Sequence, residues 1–98
     1  MSVIMTMRVA GDAAKVELED HALMQSIAAK AKEHGVISHR FYGNEKEILV
    51  VDEWPDEESF RRFFDATPEI GGIIERSGAR AEPDVTFWRT LDTGDAVG

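Results

Sequence analysis

The stretch from His34 to Phe64, HGVISHRFYGNEKEILVVDEWPDEESFRRFF, leaves little choice in how it folds. Gly35 is a helix stop, because the residue after a last helical turn favours the left-handed conformation that glycine adopts freely. Val36–Tyr42 and Glu47–Trp54 are rich in β-branched and aromatic residues and read as strands, and Gly43-Asn44-Glu45-Lys46 between them has the composition of a hairpin turn. Pro55 breaks the second strand. Asp56 then caps a helix with Glu57 and Glu58 in its first turn, where the helix dipole favours acids. Phe60, Phe63 and Phe64 share one face of that helix, which has to be buried. Composition leaves the strand pairing open by one residue, and a slip of one would exchange the two faces of the sheet.

The flanks complete the pattern. Val3, Met5, Met7 and Val9 alternate with Ile4, Thr6 and Arg8, the period of a strand that Gly11 and Asp12 end. Residues 13–19 are ambiguous: Val16 and Leu18 alternate as in a strand, within a helical composition. From Asp20 onward Leu23, Ile27 and Ala31, with Met24 and Ala28 alongside, form an apolar stripe at helical spacing. Thr67-Pro68 signals another helix start, a hydroxyl cap followed by proline at the first helical position. Ile70, Ile73 and Ile74 carry that helix to Gly78, although Gly71-Gly72 cost it about 1 kcal/mol each relative to alanine. Pro83 precedes a last strand, Asp84–Leu91, and Asp92–Gly98 lacks packing residues and is expected to be a flexible tail. The order β-α-β-β-α-β predicts a ferredoxin-like α+β fold with an antiparallel sheet, as a single domain over residues 1–98.

A chain of 98 residues has a thin core of its own. The helices cover one sheet face. The other carries Ile4, Thr6, Trp88 and Thr90 and one alternating set from the hairpin, too much apolar surface to leave in water. The expected cover is a second copy in a face-to-face, two-fold homodimer that closes an α+β barrel. A net charge of −8 with no Lys/Arg cluster argues against nucleic acid and anionic membrane as partners. Met1–Val9 has neither the basic start nor the cleavage site of a signal peptide, and no apolar run approaches a membrane span. The absence of cysteine rules out disulfides and thiolate metal sites and suits a reducing cytoplasm.

The chemistry-bearing residues cluster on the hairpin. His39 lies mid-strand and can serve as a base near neutral pH, or simply as a sheet histidine bonded to a neighbour or lying at the dimer interface. Ser38 points to the opposite face and cannot pair with it. Asp52 and Trp54, two residues apart, share a face, so an acid and an indole meet there. Asp52 is either a proton acceptor beside an aromatic wall or the partner of Arg40 or Arg89. Arg40 and Tyr42 face away from His39 and Phe41. Arg40 suits a clamp on a carboxylate or an enolate, or an ion pair across the dimer. Trp54, Phe63, Phe64 and Trp88 offer flat apolar surface, and the expected pocket lies beside the hairpin and the start of the Asp56 helix, with Trp54 as a wall. His21 and His34 match no ligand spacing, so neither a metal nor a cofactor is expected.

The junction Val50-Val51-Asp52-Glu53-Trp54-Pro55-Asp56-Glu57-Glu58-Ser59-Phe60 and the strand Thr86-Phe87-Trp88-Arg89 resemble the dimeric α+β barrel superfamily, specifically its antibiotic-biosynthesis-monooxygenase-like group. HRFYG, VDEWP and FWR are similar to segments of small actinobacterial proteins of that fold. The resemblance implies a cofactor-independent monooxygenase-like enzyme, or an isomerase built from the same parts, acting on a small planar oxygenated substrate. His39 or Asp52 would then be the base, Tyr42 or Arg40 the donor that holds the enolate, and Arg40, Trp54, Phe63, Phe64, Trp88 and Arg89 the substrate contacts. Members of the group often carry a histidine on the second helix and an asparagine on the first strand. Phe60-Arg61-Arg62-Phe63-Phe64-Asp65, Thr6 and Arg8 stand there in this chain, which points away from haem chemistry. The alternative is a domain that binds a small ligand, or another copy of itself, without catalysis.

Overall fold

A computed structural model describes Met1–Gly98. The elements run β1 (Val3–Val9), α1 (Ala13–Glu17), α2 (His21–Glu33), β2 (Ser38–Gly43), β3 (Ile48–Trp54), α3 (Glu57–Asp65), α4 (Glu69–Arg76) and β4 (Asp84–Trp88). The strands form one four-stranded sheet in the order β2-β3-β1-β4, with every neighbouring pair antiparallel. This is the ferredoxin-like arrangement read from the element order. No helix is long and apolar enough to cross a membrane.

Local signals place most boundaries. Asp12 accepts a hydrogen bond from the Ala14 amide (3.0 Å), which turns the ambiguous residues after it into the one-turn helix α1 rather than a strand. Asp20 caps α2 in the same way, through the Ala22 amide at 2.9 Å. At the other end of α2, Gly35 adopts a φ of +98°, the Gly35 amide donates to the Lys32 carbonyl and the Val36 amide donates to the Ala31 carbonyl. That bond pair is a Schellman stop, and it takes Val36 out of the strand expected to begin there, so β2 starts at Ser38. Asn44 Oδ1 accepts from the amides of Lys46 and Glu47 and fixes the hairpin turn.

Two further expectations change. Thr67 does not cap α4: its hydroxyl donates backwards to the Phe63 carbonyl (2.7 Å), and Pro68 occupies the cap position with no side-chain bond. The last strand ends at Trp88 instead of Leu91. Trp88 pairs with Ile4, close to where β1 begins, so the residues after it have no ladder to join.

The core lies between the sheet and the helices. Met5, Met7 and Val9 of β1 and Ile48, Val50 and Trp54 of β3 are buried on the helix side, against Ala31, Phe60 and Phe63. The opposite sheet face carries no layer in the protomer. Across it the register aligns Ser38, Glu53, Ile4 and Trp88 in one row, Arg40, Val51, Thr6 and Thr86 in the next, and Tyr42, Leu49, Arg8 and Asp84 in the third.

Candidate functional site

His39 and Asp52 stand opposite each other in the β2–β3 ladder, both on the helix-covered face. His39 Nδ1 lies 2.7 Å from Asp52 Oδ1. Asp52 is 4% exposed, and its second oxygen, Oδ2, accepts a hydrogen bond from Trp54 Nε1 at 3.1 Å. A buried carboxylate with both oxygens engaged avoids the cost of an unpaired charge in an apolar interior. Trp54 has no accessible surface and packs against the rings of Phe60 and Phe63, with centroids 5.8 and 5.4 Å away. Phe41 meets the His39 ring edge-on at 5.1 Å. The imidazole is therefore held on its Nδ1 side and by Phe41, while no protein group bonds to Nε2 and about a third of the side chain (35%) is accessible.

Beside this pair lies a cavity of about 280 Å³, at the small end for a ligand site. The sheet supplies its floor through Met5, Met7, Val9, Ile48 and Val50. Phe60, Phe63 and Phe64 of α3 and Ile70, Ile73 and Ile74 of α4 line the facing side, and Met24, Ile27 and Ala28 of α2 line the flank. Gln25, His39, Asp52 and Ser77 are its polar residues. Ser77 lies at the far end from the dyad, beside Gly11, and its hydroxyl donates to the Ile74 carbonyl at 2.6 Å.

The residues singled out in the sequence divide between two faces. His39, Asp52, Phe63 and Phe64 converge on the cavity. Arg40, Tyr42 and Trp88 lie on the uncovered face, where the pleat puts them a full sheet thickness from His39. Tyr42 and Arg40 therefore cannot hold an enolate beside His39 within one protomer. Trp88 is exposed and donates its Nε1–H to Thr6 Oγ1 at 2.8 Å. Arg89 is exposed beyond the end of β4. Asp52 takes His39 as its partner instead of Arg40 or Arg89. Trp54 does not line the cavity: it stands behind Asp52 in the core, and none of residues 55–59 borders the cavity either. The expected pocket at the start of the Asp56 helix thus gives way to one deeper between sheet and helices. No cluster of three or more acidic, histidine or cysteine side chains has the geometry to hold a metal ion.

Gln25 and Ser77 did not stand out in the sequence. Ser77 had a signal, since it continues the Ile70, Ile73, Ile74 spacing to the next position on the same helix face. Gln25 precedes Ala28 by three residues at the margin of the α2 stripe, a polar residue where the pattern shows only an edge.

No family profile and no curated protein matches the chain. Solved structures do. A conserved protein from Methanosarcina mazei Go1 superposes with a TM-score of 0.69 at 20% identity, over 93% of this chain and 94% of that one. SnoaB, a cofactor-independent oxygenase from Streptomyces nogalater, superposes with a TM-score of 0.63 at 18% identity, over 97% and 98%. A dimeric ferredoxin-like protein from an uncultured marine organism gives 0.65 at 10% identity, over 93% and 89%. The likeness is one of fold. It covers nearly the whole of each chain.

Proposed function

We propose that this chain is a monooxygenase-like enzyme that needs no cofactor and acts on a small, flat, oxygenated substrate in the cavity between sheet and helices. The observation that carries the reading is the His39–Asp52 hydrogen bond at the edge of a mostly apolar cavity. Asp52 has both oxygens occupied, so it serves as the orienting carboxylate and His39 Nε2 as the base. A base removes a proton from a carbon next to a carbonyl or a phenolic ring. The resulting carbanion gives an electron to molecular oxygen, the two radicals combine, and the returned proton completes a hydroperoxide. Loss of water then leaves a ketone, so a CH2 group and O2 become C=O and H2O. An apolar cavity favours this sequence because oxygen and a flat ring both partition into it and water is kept from the carbanion. The fold shared with SnoaB supports the same reading. The working form is a homodimer through the open sheet face, a reading supported by the apolar residues there and by the dimeric ferredoxin-like neighbour.

A second reading, a domain that binds such a ligand without turning it over, draws on one observation. Ser77, one of the few polar groups lining the cavity, spends its hydroxyl hydrogen on the Ile74 carbonyl, leaving Gln25 as the side chain able to donate to an enolate. Oxygen uptake with a panel of one- to three-ring phenols and enolisable aryl ketones separates the two. The enzyme reading expects uptake that falls by about a hundredfold or more in His39→Ala, the range for loss of a general base. Uptake unchanged in His39→Ala overturns it. No uptake with any panel member, together with saturable quenching of bound 2-naphthol, favours the binding domain.

A further inference from the structure

We infer that Trp54 is a positioning residue: through Asp52, its indole N–H decides which nitrogen of His39 carries the proton. The inference deepens the reading of His39 as the base, but it is read out on the imidazole itself and needs no turnover.

The chain of contacts is short and fully specified. Trp54 Nε1 can only donate, and it is buried where no water can replace its partner. It donates to Asp52 Oδ2 at 3.1 Å, which fixes the rotation of the carboxyl group and aims Oδ1 at His39 Nδ1, 2.7 Å away. An ionised carboxylate can only accept. The proton of a neutral imidazole therefore sits on Nδ1, and the Nε2 lone pair is left at the accessible edge beside the cavity. A histidine free in water favours the other tautomer. Without the indole, Asp52 would be free to rotate and to pull away from His39. Trp54 follows Asp52 at a spacing of two on β3, so the same pleat that puts both on the helix face makes the bond possible. The indole's burial among Phe60 and Phe63 gives it one position, and hence one direction for its N–H.

The sharpest test keeps Trp54 and changes its acceptor. In Asp52→Asn the new side chain has one acceptor oxygen and one donor nitrogen. The indole N–H claims the oxygen, so the NH2 group must face His39. His39 Nδ1 then has to accept, and the proton moves to Nε2. The same substitution in a serine-protease triad gives the wrong tautomer with geometry intact. Long-range ¹H–¹⁵N correlation spectra of the histidine rings at alkaline pH report this directly. In the unaltered protein the His39 Nε2 resonance is expected at the position of a bare ring nitrogen and Nδ1 at that of a protonated one. Asp52→Asn is expected to exchange the two. Trp54→Phe, which removes the N–H and keeps a ring, is expected to move both resonances toward the average of the two tautomers. Val3→Ala, which thins the packing at the residue paired with Trp54 and leaves the N–H in place, is expected to move neither. The inference is overturned if the unaltered protein carries its proton on Nε2, if Asp52→Asn keeps it on Nδ1, or if Val3→Ala shifts the resonances as far as Trp54→Phe. Should Trp54→Phe fail to fold, the Asp52→Asn spectrum still decides. A fixed tautomer without oxygen uptake would sink the enzyme reading alone, and uptake with an unfixed tautomer would sink this inference alone.

Discussion

Gly11 lies directly on Ser77. A Cβ at position 11 would come 3.0 Å from the Ser77 Cβ and 3.1 Å from its carbonyl oxygen, and closer still to its hydroxyl. The Asp12 amide donates to that same carbonyl at 2.8 Å, so the start of α1 is bonded to the residue that ends α4. Ser77 is buried and cannot step aside. Gly11→Ala is therefore expected to destabilise the fold by about 1–3 kcal/mol, the usual cost of overpacking. Urea denaturation of the two proteins checks this.

Trp54→Ala is expected to cost about 3–5 kcal/mol, since it empties the space of a fully buried indole and leaves Asp52 Oδ2 without its donor. The same urea titration measures it. A change in ligand retention with stability intact would return Trp54 to the pocket-wall role that its place at a strand end suggested.

Acid should loosen both ends of the helical layer. The Ser59 amide, bonded to the Asp56 carboxylate at 2.7 Å, holds that carboxyl below its usual range, and Arg76 does the same for Glu19 through its hydrogen bonds. A carboxyl whose folded-state pKa is depressed stabilises the fold above its ordinary value, and that stabilisation is lost as pH falls through the folded one. The melting temperature is expected to fall as pH drops below the ordinary carboxylate range. Asp56→Asn and Glu19→Gln should each flatten the fall, as calorimetry across acid pH would show.

The uncovered sheet face makes oligomeric state testable at one residue. Val51 lies in the middle row, beside Arg40 and Thr6. Val51→Arg would bury a second cation beside Arg40 at the centre of a face-to-face dimer, where an unpaired charge is strongly disfavoured. Light scattering should give a dimer for the unaltered protein and a monomer for the variant, with the circular dichroism spectrum of each unchanged. A monomer in both would remove the dimer.

The fold was legible because its signals are local: Asp12, Asp20 and Asp56 each cap the helix they precede, and Gly35 ends one. The errors came where two signals competed for one residue. Val36 has strand composition but serves the helix stop, and Thr67 has the look of a start while its hydroxyl closes the helix behind it. The site was legible only in part. That Asp52 and Trp54 share a face follows from their spacing, whereas the pairing of His39 with Asp52 depends on a register that composition leaves open. The cavity was beyond reach, because its lining comes from seven elements whose packing no single segment encodes.

The alternation along β2 has a consequence for insertions and deletions. His39 and Phe41 face inward while Arg40 and Tyr42 face outward, and the Asn44 side chain pins the turn that sets this register. Gaining one residue between Phe41 and the turn would carry Arg40 into the place of His39 opposite Asp52, an imidazole exchanged for a permanent cation without any substitution at the site itself, and losing one would bring Ser38 there. In descendants of this chain, then, the length of a surface turn would act as a determinant of chemistry, and gene variants differing by a single codon there would be expected to part ways in activity while keeping every residue named in the dyad.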